Sequence, residues 1–142
     1  MTIGNIVEAH DFDVITIAAD ERVGTAIKLL AEKRIGALPV VDGGAVLGIF
    51  SERDVIYGLQ REGHALLDRA VSEVMTAPAV TVDPGQSVLG ALSLMTKRRI
   101  RHLPVVSGGA LIGFVSIGDL VKHRMDRIES EANAMRDYIQ GS

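Results

Sequence analysis

Apolar and polar positions along the chain fall into two matching series. In the first, Val14–Ile17 is a short apolar segment, and Val23, Ala26, Ile27 and Leu30 then mark one face of a helix. Leu38–Val41 and Val46–Phe50 follow as unbroken apolar runs joined through Gly43-Gly44. The second series has Ala79–Val82, then Val88, Ala91, Leu92 and Met95, then Leu103–Val106 and Leu111–Val115 joined through Gly108-Gly109. Steps of three and four predict a helix with one buried face. Two short apolar runs separated by Gly-Gly predict strands in a tight hairpin. Because the runs do not alternate with polar residues, the strands are expected to be covered on both faces. A further helix is predicted after Ser51 and again after Ser116.

The two series are one unit written twice. Displaced by 65 positions without a gap, Thr16 meets Thr81, "LPVV" at Leu38–Val41 meets "LPVV" at Leu103–Val106, and Gly48 meets Gly113. Ser51 meets Ser116 and Asp54 meets Asp119. Each unit reads β-α-β-β-α and is too small to bury its own sheet, so two units are expected to pack sheet against sheet in an α/β (α+β) fold. The segments are then 1–64 for the first repeat with the N-terminal stretch, 65–78 for a connector, 79–125 for the second repeat and 126–142 for a helical extension.

That extension carries its own pattern. Val121, Met125, Ile128, Ala132, Met135 and Ile139 step by four, three, four, three and four, a heptad seam flanked by charged residues. The seam can lie on its own domain or pair with a second copy. Roughly five turns is long for a helix serving so small a body, which favours a homodimer.

Composition narrows the chemistry. The chain has 142 residues, 47% of them hydrophobic, with no tryptophan and no cysteine. A core of aliphatic residues and methionine is affordable, and disulfides, thiol catalysis and thiolate metal sites are excluded. The formal charge of −3 gives no basic excess for nucleic acid or anionic membranes. No apolar run approaches a membrane span and the N-terminus has no signal-peptide pattern, so a cytoplasmic protein is expected. No GxxxxGK[ST] loop occurs, and His10, His64, His102 and His123 have no metal-ligand spacing.

The repeated Ser-x-x-Asp is the main chemical signal. Serine at a helix N-terminus with an acid three positions on is a capping pair. It is equally a place for a ligand: free amides and the positive end of the helix dipole suit a phosphate at Ser51 and Ser116, and Asp54 and Asp119 can accept two bonds from a ribose diol. The return bond of a capping box is best made by Glu or Gln, and the shorter Asp in both copies therefore favours binding in addition to capping. Small residues at Gly36 and Ala37 would let a flat base approach the backbone. Pro39, and Pro104 in the second copy, lack an amide and would leave a sheet edge partly unpaired for an adenine. Thr16 and Thr81 add a hydroxyl to each copy or simply express β-propensity. Arg101 and His102 stand at the start of a buried strand, where anion binding would explain them, and Arg53 opposes the local helix dipole unless a phosphate is present.

This doubled pattern, from the threonine strand through "LPVV" and Gly-Gly to "GIFSERD" and "GFVSIGD", resembles the CBS domain, named for cystathionine β-synthase. Two in tandem look like a Bateman module. The resemblance spans about residues 13–125, and "VSEVMT" at Val71–Thr76 is similar to the segment that precedes a second repeat in that family. It implies a pseudo-twofold sandwich with two clefts that bind AMP, ADP, ATP, NAD(H) or S-adenosylmethionine. The ribose-binding acid would fall on Asp54 and Asp119, the phosphate-side hydroxyl on Ser51 and Ser116, and the strand threonine on Thr16 and Thr81. The residues before the proline would be Gly36 and Ala37 in one repeat and Arg101 and His102 in the other. Opposite Arg53 stands Gly118, so the clefts should differ. The expected function is a non-catalytic regulatory module that signals to a protein partner, often as a disc-like homodimer. The alternatives are a scaffold with empty clefts and a nucleotide-hydrolysing enzyme.

Overall fold

The computed structural model of the chain describes residues 1–9 and 13–141, so His10 lies outside the described residues. The element order is α1 (Ile3–Ala9), β1 (Ile17–Ala18), α2 (Val23–Lys33), β2 (Ala37–Asp42), β3 (Ala45–Ser51) and α3 (Glu52–Glu62). A 3₁₀ segment (Gly63–Asp68) and the short α4 (Val71–Val74) lead into α5 (Val88–Arg98), β4 (His102–Ser107), β5 (Ala110–Ser116) and α6 (Ile117–Gly141).

The Gly-Gly pairs make the predicted hairpins. Gly43 and Gly44 have φ of 57° and 87°, and Gly108 and Gly109 have 58° and 81°. Two successive positive φ values define the turn whose twist matches antiparallel strands, a conformation glycine adopts without steric cost. β2 pairs with β3 and β4 with β5 in the same register, with a bulge between Val40 and Val41 and its counterpart between Val105 and Val106. Ala37–Val40 and Leu103–Val105 are buried, as expected for strands covered on both faces, whereas β3 and β5 alternate between buried and partly open positions and Ile112 is exposed.

The first strand of each repeat is shorter than the pattern predicts. β1 starts only at Ile17, parallel to Val40, and its counterpart is a single bridge from Val82 to Val105. Thr76–Ala79 is bonded to the outer edge of β3 instead: Ile49 and Thr76 exchange both backbone bonds at 2.9 Å, and the Ala79 amide donates to the Leu47 carbonyl. The connector therefore serves the first sheet before crossing to β4, which leaves little length for a strand in the second.

Each repeat has its own buried cluster, and each cluster is completed from outside its β-α-β-β-α unit. Leu66, Val71 and Val74, from the 3₁₀ segment and α4, join Val23, Leu38, Val40 and Phe50 of the first repeat. Ile3 and Ile6 of α1 join Val88, Met95, Leu103 and Leu120 of the second. The N-terminal helix thus packs on the far repeat. Gly113 makes this possible, since a Cβ there would stand 2.7 Å from the Val7 side chain, and Gly48 is pressed in the same way against the Thr76 carbonyl. The two repeats also touch through β3 and β5.

Candidate functional site

Two helix starts carry the repeated acids. Ser51 and Ser116 are the last residues of β3 and β5, so each hydroxyl sits where a strand hands over to a helix. Asp54 reaches back to accept from the Ser51 amide at 2.9 Å, and Asp119 accepts from the Ser116 amide at 2.8 Å. Both acids thus close the return bond that Glu or Gln makes best, so the shorter side chain is no argument for binding in addition to capping. Capping alone accounts for their spacing.

The copies differ beyond that bond. In the second, the Ser116 hydroxyl accepts from the Asp119 amide, completing a reciprocal box. In the first, the Ser51 hydroxyl donates to Asp54 at 3.2 Å, and the other carboxylate oxygen accepts from the Thr76 hydroxyl at 2.9 Å. Asp54 is 8% exposed, the one buried charged residue among those described. Thr76 belongs to the connector, so this carboxylate ties α3 to the chain crossing between repeats.

Beside Ser51 and Thr76 opens a cleft of about 600 Å³, in the range of small-molecule sites. Its walls come from both repeats. β3 and α3 supply Ile49, Ser51, Glu52, Arg53, Ile56 and Tyr57, and the connector supplies Thr76, Pro78, Ala79 and Val80. The turn before β4 supplies Arg99, Ile100, Arg101 and His102, and Gly36 lies on the facing side.

Three arginines, Arg53, Arg99 and Arg101, line the cleft. Arg99 caps α5 with a left-handed backbone, φ 55°, which turns its carbonyl toward α3. Arg53 donates to that carbonyl at 3.3 Å. The cost of a cation in the first turn of α3 is thus met by a partner within the protein, and no phosphate is needed to explain it. Arg101 is exposed at the same mouth. At the other side, a Cβ on Gly36 would lie 3.3 Å from Glu52 and 3.6 Å from the His102 ring, so glycine keeps a flat space open between them. His102 stacks on Phe114 with centroids 5.4 Å apart. Burial pushes its pKa below the ordinary 6.5, against the pull of Asp119 and Glu52 and with the help of Arg101.

Of the residues the sequence nominates, Gly36, Ser51, Arg53, Arg101 and His102 meet at this cleft, with Asp54 immediately behind Ser51 and Thr76. Several do not reach its surface. Ala37 and Pro39 are buried inside β2, and Pro104 inside β4. Pro39 stands opposite Ile49, whose amide and carbonyl both turn outward to Thr76, so the missing proline amide faces the β1 side and leaves no open edge in the hairpin. Thr16 is half-buried just before β1, and Thr81 is exposed beside the Val82 bridge; neither lines the cleft. Ser116 and Asp119 sit at the equivalent place in the second repeat. Thr76, Arg99 and the exposed Ile56 and Tyr57 were not nominated. Their one advance signal was that the cleft of one repeat should be closed by the segment leading into the other.

Among the described residues no cluster of His, Asp or Glu could hold a metal, and no helix is long and apolar enough to cross a membrane.

Comparison with known proteins places this geometry. The family profile "CBS domain" matches residues 6–61 and 71–126. The mitochondrial CBS domain-containing protein CBSX3 of Arabidopsis thaliana is 38% identical over 127 residues, covering 86% of this chain and 62% of that longer protein. The structure of a CBS-domain protein from Burkholderia ambifaria superposes with a TM-score of 0.83 at 43% identity, over 89% of this chain and 95% of that one. The structure of CBSX2 in complex with AMP superposes with a TM-score of 0.74 at 25% identity, over 88% and 96%. The chain, with its twofold β-α-β-β-α repeat and interrepeat cleft, belongs to the CBS-domain family and carries two such domains in tandem.

Proposed function

We propose that the chain is a non-catalytic regulatory module that binds an adenosyl nucleotide in the cleft beside Ser51 and signals its presence to a protein partner. The observation that carries this reading is the composition of the cleft. A sugar-sized polar corner, formed by the Ser51 and Thr76 hydroxyls over Asp54, lies between apolar walls from Ile49, Ile56 and Val80 and a basic rim of Arg53, Arg99 and Arg101. A nucleoside phosphate has the same three parts. The base takes the flat slot that Gly36 keeps open between Glu52 and the His102 ring, and the ribose diol bonds Asp54 as the two hydroxyls turn aside. The phosphates meet the guanidiniums, whose charge-assisted bonds are the strongest the site offers. The basic rim favours AMP, ADP, ATP or NAD(H) over an adenosyl ligand without phosphate. The AMP complex of CBSX2 supports the same ligand class.

One feature supports a second reading, a scaffold whose clefts stay empty: Asp54 is already satisfied by three protein hydrogen bonds. Calorimetry with AMP, ADP, ATP, NADH and S-adenosylmethionine separates the two. The sensor reading expects saturable binding of a phosphate-bearing ligand and at least a tenfold loss in Arg101→Ala and Asp54→Asn, the scale of one charge-assisted contact. No heat with any of the five ligands favours the scaffold, and unchanged affinity in Asp54→Asn overturns the assignment of the ribose to Asp54.

A further inference from the structure

Among the described residues, one long apolar surface has no cover from the rest of the fold. α6 runs for 25 residues, about 37 Å, and only its start is anchored, by Leu120 in the second core. At 100° per residue, Val121, Met125, Ile128, Ala132 and Met135 fall within about 40° of one line. Leu120 and His123 point well away from that line, toward the body. Met125 is 63% exposed, Ile128 51% and Met135 61%.

The charges beside this stripe say what covers it. With Met125 and Ala132 in the first core position of the heptad and Val121, Ile128 and Met135 in the second, the flanking positions are Arg124 and Glu131 on one side and Lys122, Glu129 and Arg136 on the other. In a parallel in-register pair, each flanking residue of the first side meets the residue five positions on along the partner. Arg124 then faces the partner's Glu129, and Glu131 faces the partner's Arg136, so all four contacts of the dimer join opposite charges. An antiparallel pair overlapping along the whole helix sets Lys122 against Arg136, Glu129 against Glu129 and Glu131 against Glu131. Every one of those contacts is repulsive. The internal pair between Arg127 and Glu131, at 3.2 Å, uses one carboxylate oxygen and leaves the other for the partner.

We infer that α6 is a parallel, in-register coiled-coil interface with a second copy of this chain, so that two modules project from the same end of a shared stalk. The inference does not depend on a ligand in the cleft and survives if none binds.

The chain has no cysteine, which makes the test clean. Sedimentation equilibrium of the full chain should give a dimer. Ile128→Cys should form an interchain disulfide on mild oxidation, because identical core positions face each other only in the parallel register. Glu129→Arg turns two attractive contacts repulsive and should raise the dimer dissociation constant about tenfold. Arg124→Glu combined with Glu129→Arg should restore it. Circular dichroism shows whether each variant keeps its helix. A monomer at all concentrations, which leaves the stripe to a different protein, overturns the inference. So does a dimer in which Ile128→Cys fails to cross-link, or one indifferent to both charge changes.

Discussion

Removing the repeated acids one at a time should affect the two halves unequally, and the size of the difference follows from the hydrogen bonds. Asp119→Ala removes the return bond to the Ser116 amide, a capping contact that contributes about 1 kcal/mol. Asp54→Ala removes the same contact to Ser51 and, in addition, the 2.9 Å bond from the Thr76 hydroxyl to a buried carboxylate. A hydrogen bond to a charged group contributes about 2 kcal/mol. The 3.2 Å bond from the Ser51 hydroxyl adds little, since that group can turn to water. The expected losses are about 3 kcal/mol for Asp54→Ala and about 1 kcal/mol for Asp119→Ala. For a chain of this size that corresponds to falls in Tm of about 12 °C and 4 °C. Urea denaturation and calorimetric scans of ligand-free protein measure both. Thr76→Val supplies the internal control: it should cost about 2 kcal/mol in the wild-type background and almost nothing once Asp54 is alanine. Equal losses for the two acids, or a Thr76→Val cost that is the same in both backgrounds, would refute the claim that Asp54 ties the connector to α3.

Two further outcomes follow from the same geometry. Gly48→Ala should destabilise by about 2 kcal/mol and loosen Thr76–Ala79 from β3, because the new methyl would stand 2.6 Å from the Thr76 carbonyl oxygen; urea midpoints and amide exchange at Ile49 and Thr76 report both effects, and unchanged protection there contradicts the packing. His102 provides a pH signature, since burial sets its folded pKa below 6.5. Above pH 6.5 the ring is neutral in both states and its contribution is complete; as the pH falls below 6.5 the unfolded chain takes the proton first, and stability is lost until the folded ring protonates as well. His102→Phe, which keeps the stack on Phe114, should lack this component, so the wild type should lose ground to the variant between pH 7 and 5.5 in urea midpoints, and parallel curves would count against it.

The amino-acid sequence by itself determined whatever depends on neighbours along the chain. The Gly-Gly hairpins need only two residues that accept positive φ, the buried strands only unbroken apolar runs, and the capping acids only a three-residue reach from Ser51 to Asp54 and from Ser116 to Asp119. The doubling of these patterns was visible because both copies answer to the same local physics. Tertiary structure decided what depends on residues distant in sequence. Nothing local shows that Ile3 and Ile6 complete the core of the second repeat, or that Leu66, Val71 and Val74 complete the first. Each apolar segment is too short to choose between two similar sheets, and glycine stands at the same place in both, so Gly48 admits Thr76 and Gly113 admits Val7 only as the whole chain packs. The cleft is the same kind of result. Its basic rim joins Arg53 of one repeat to Arg99 and Arg101 of the other, and its buried acid is held by Thr76 from the connector, because a site between two repeats exists only once their packing has brought both walls together.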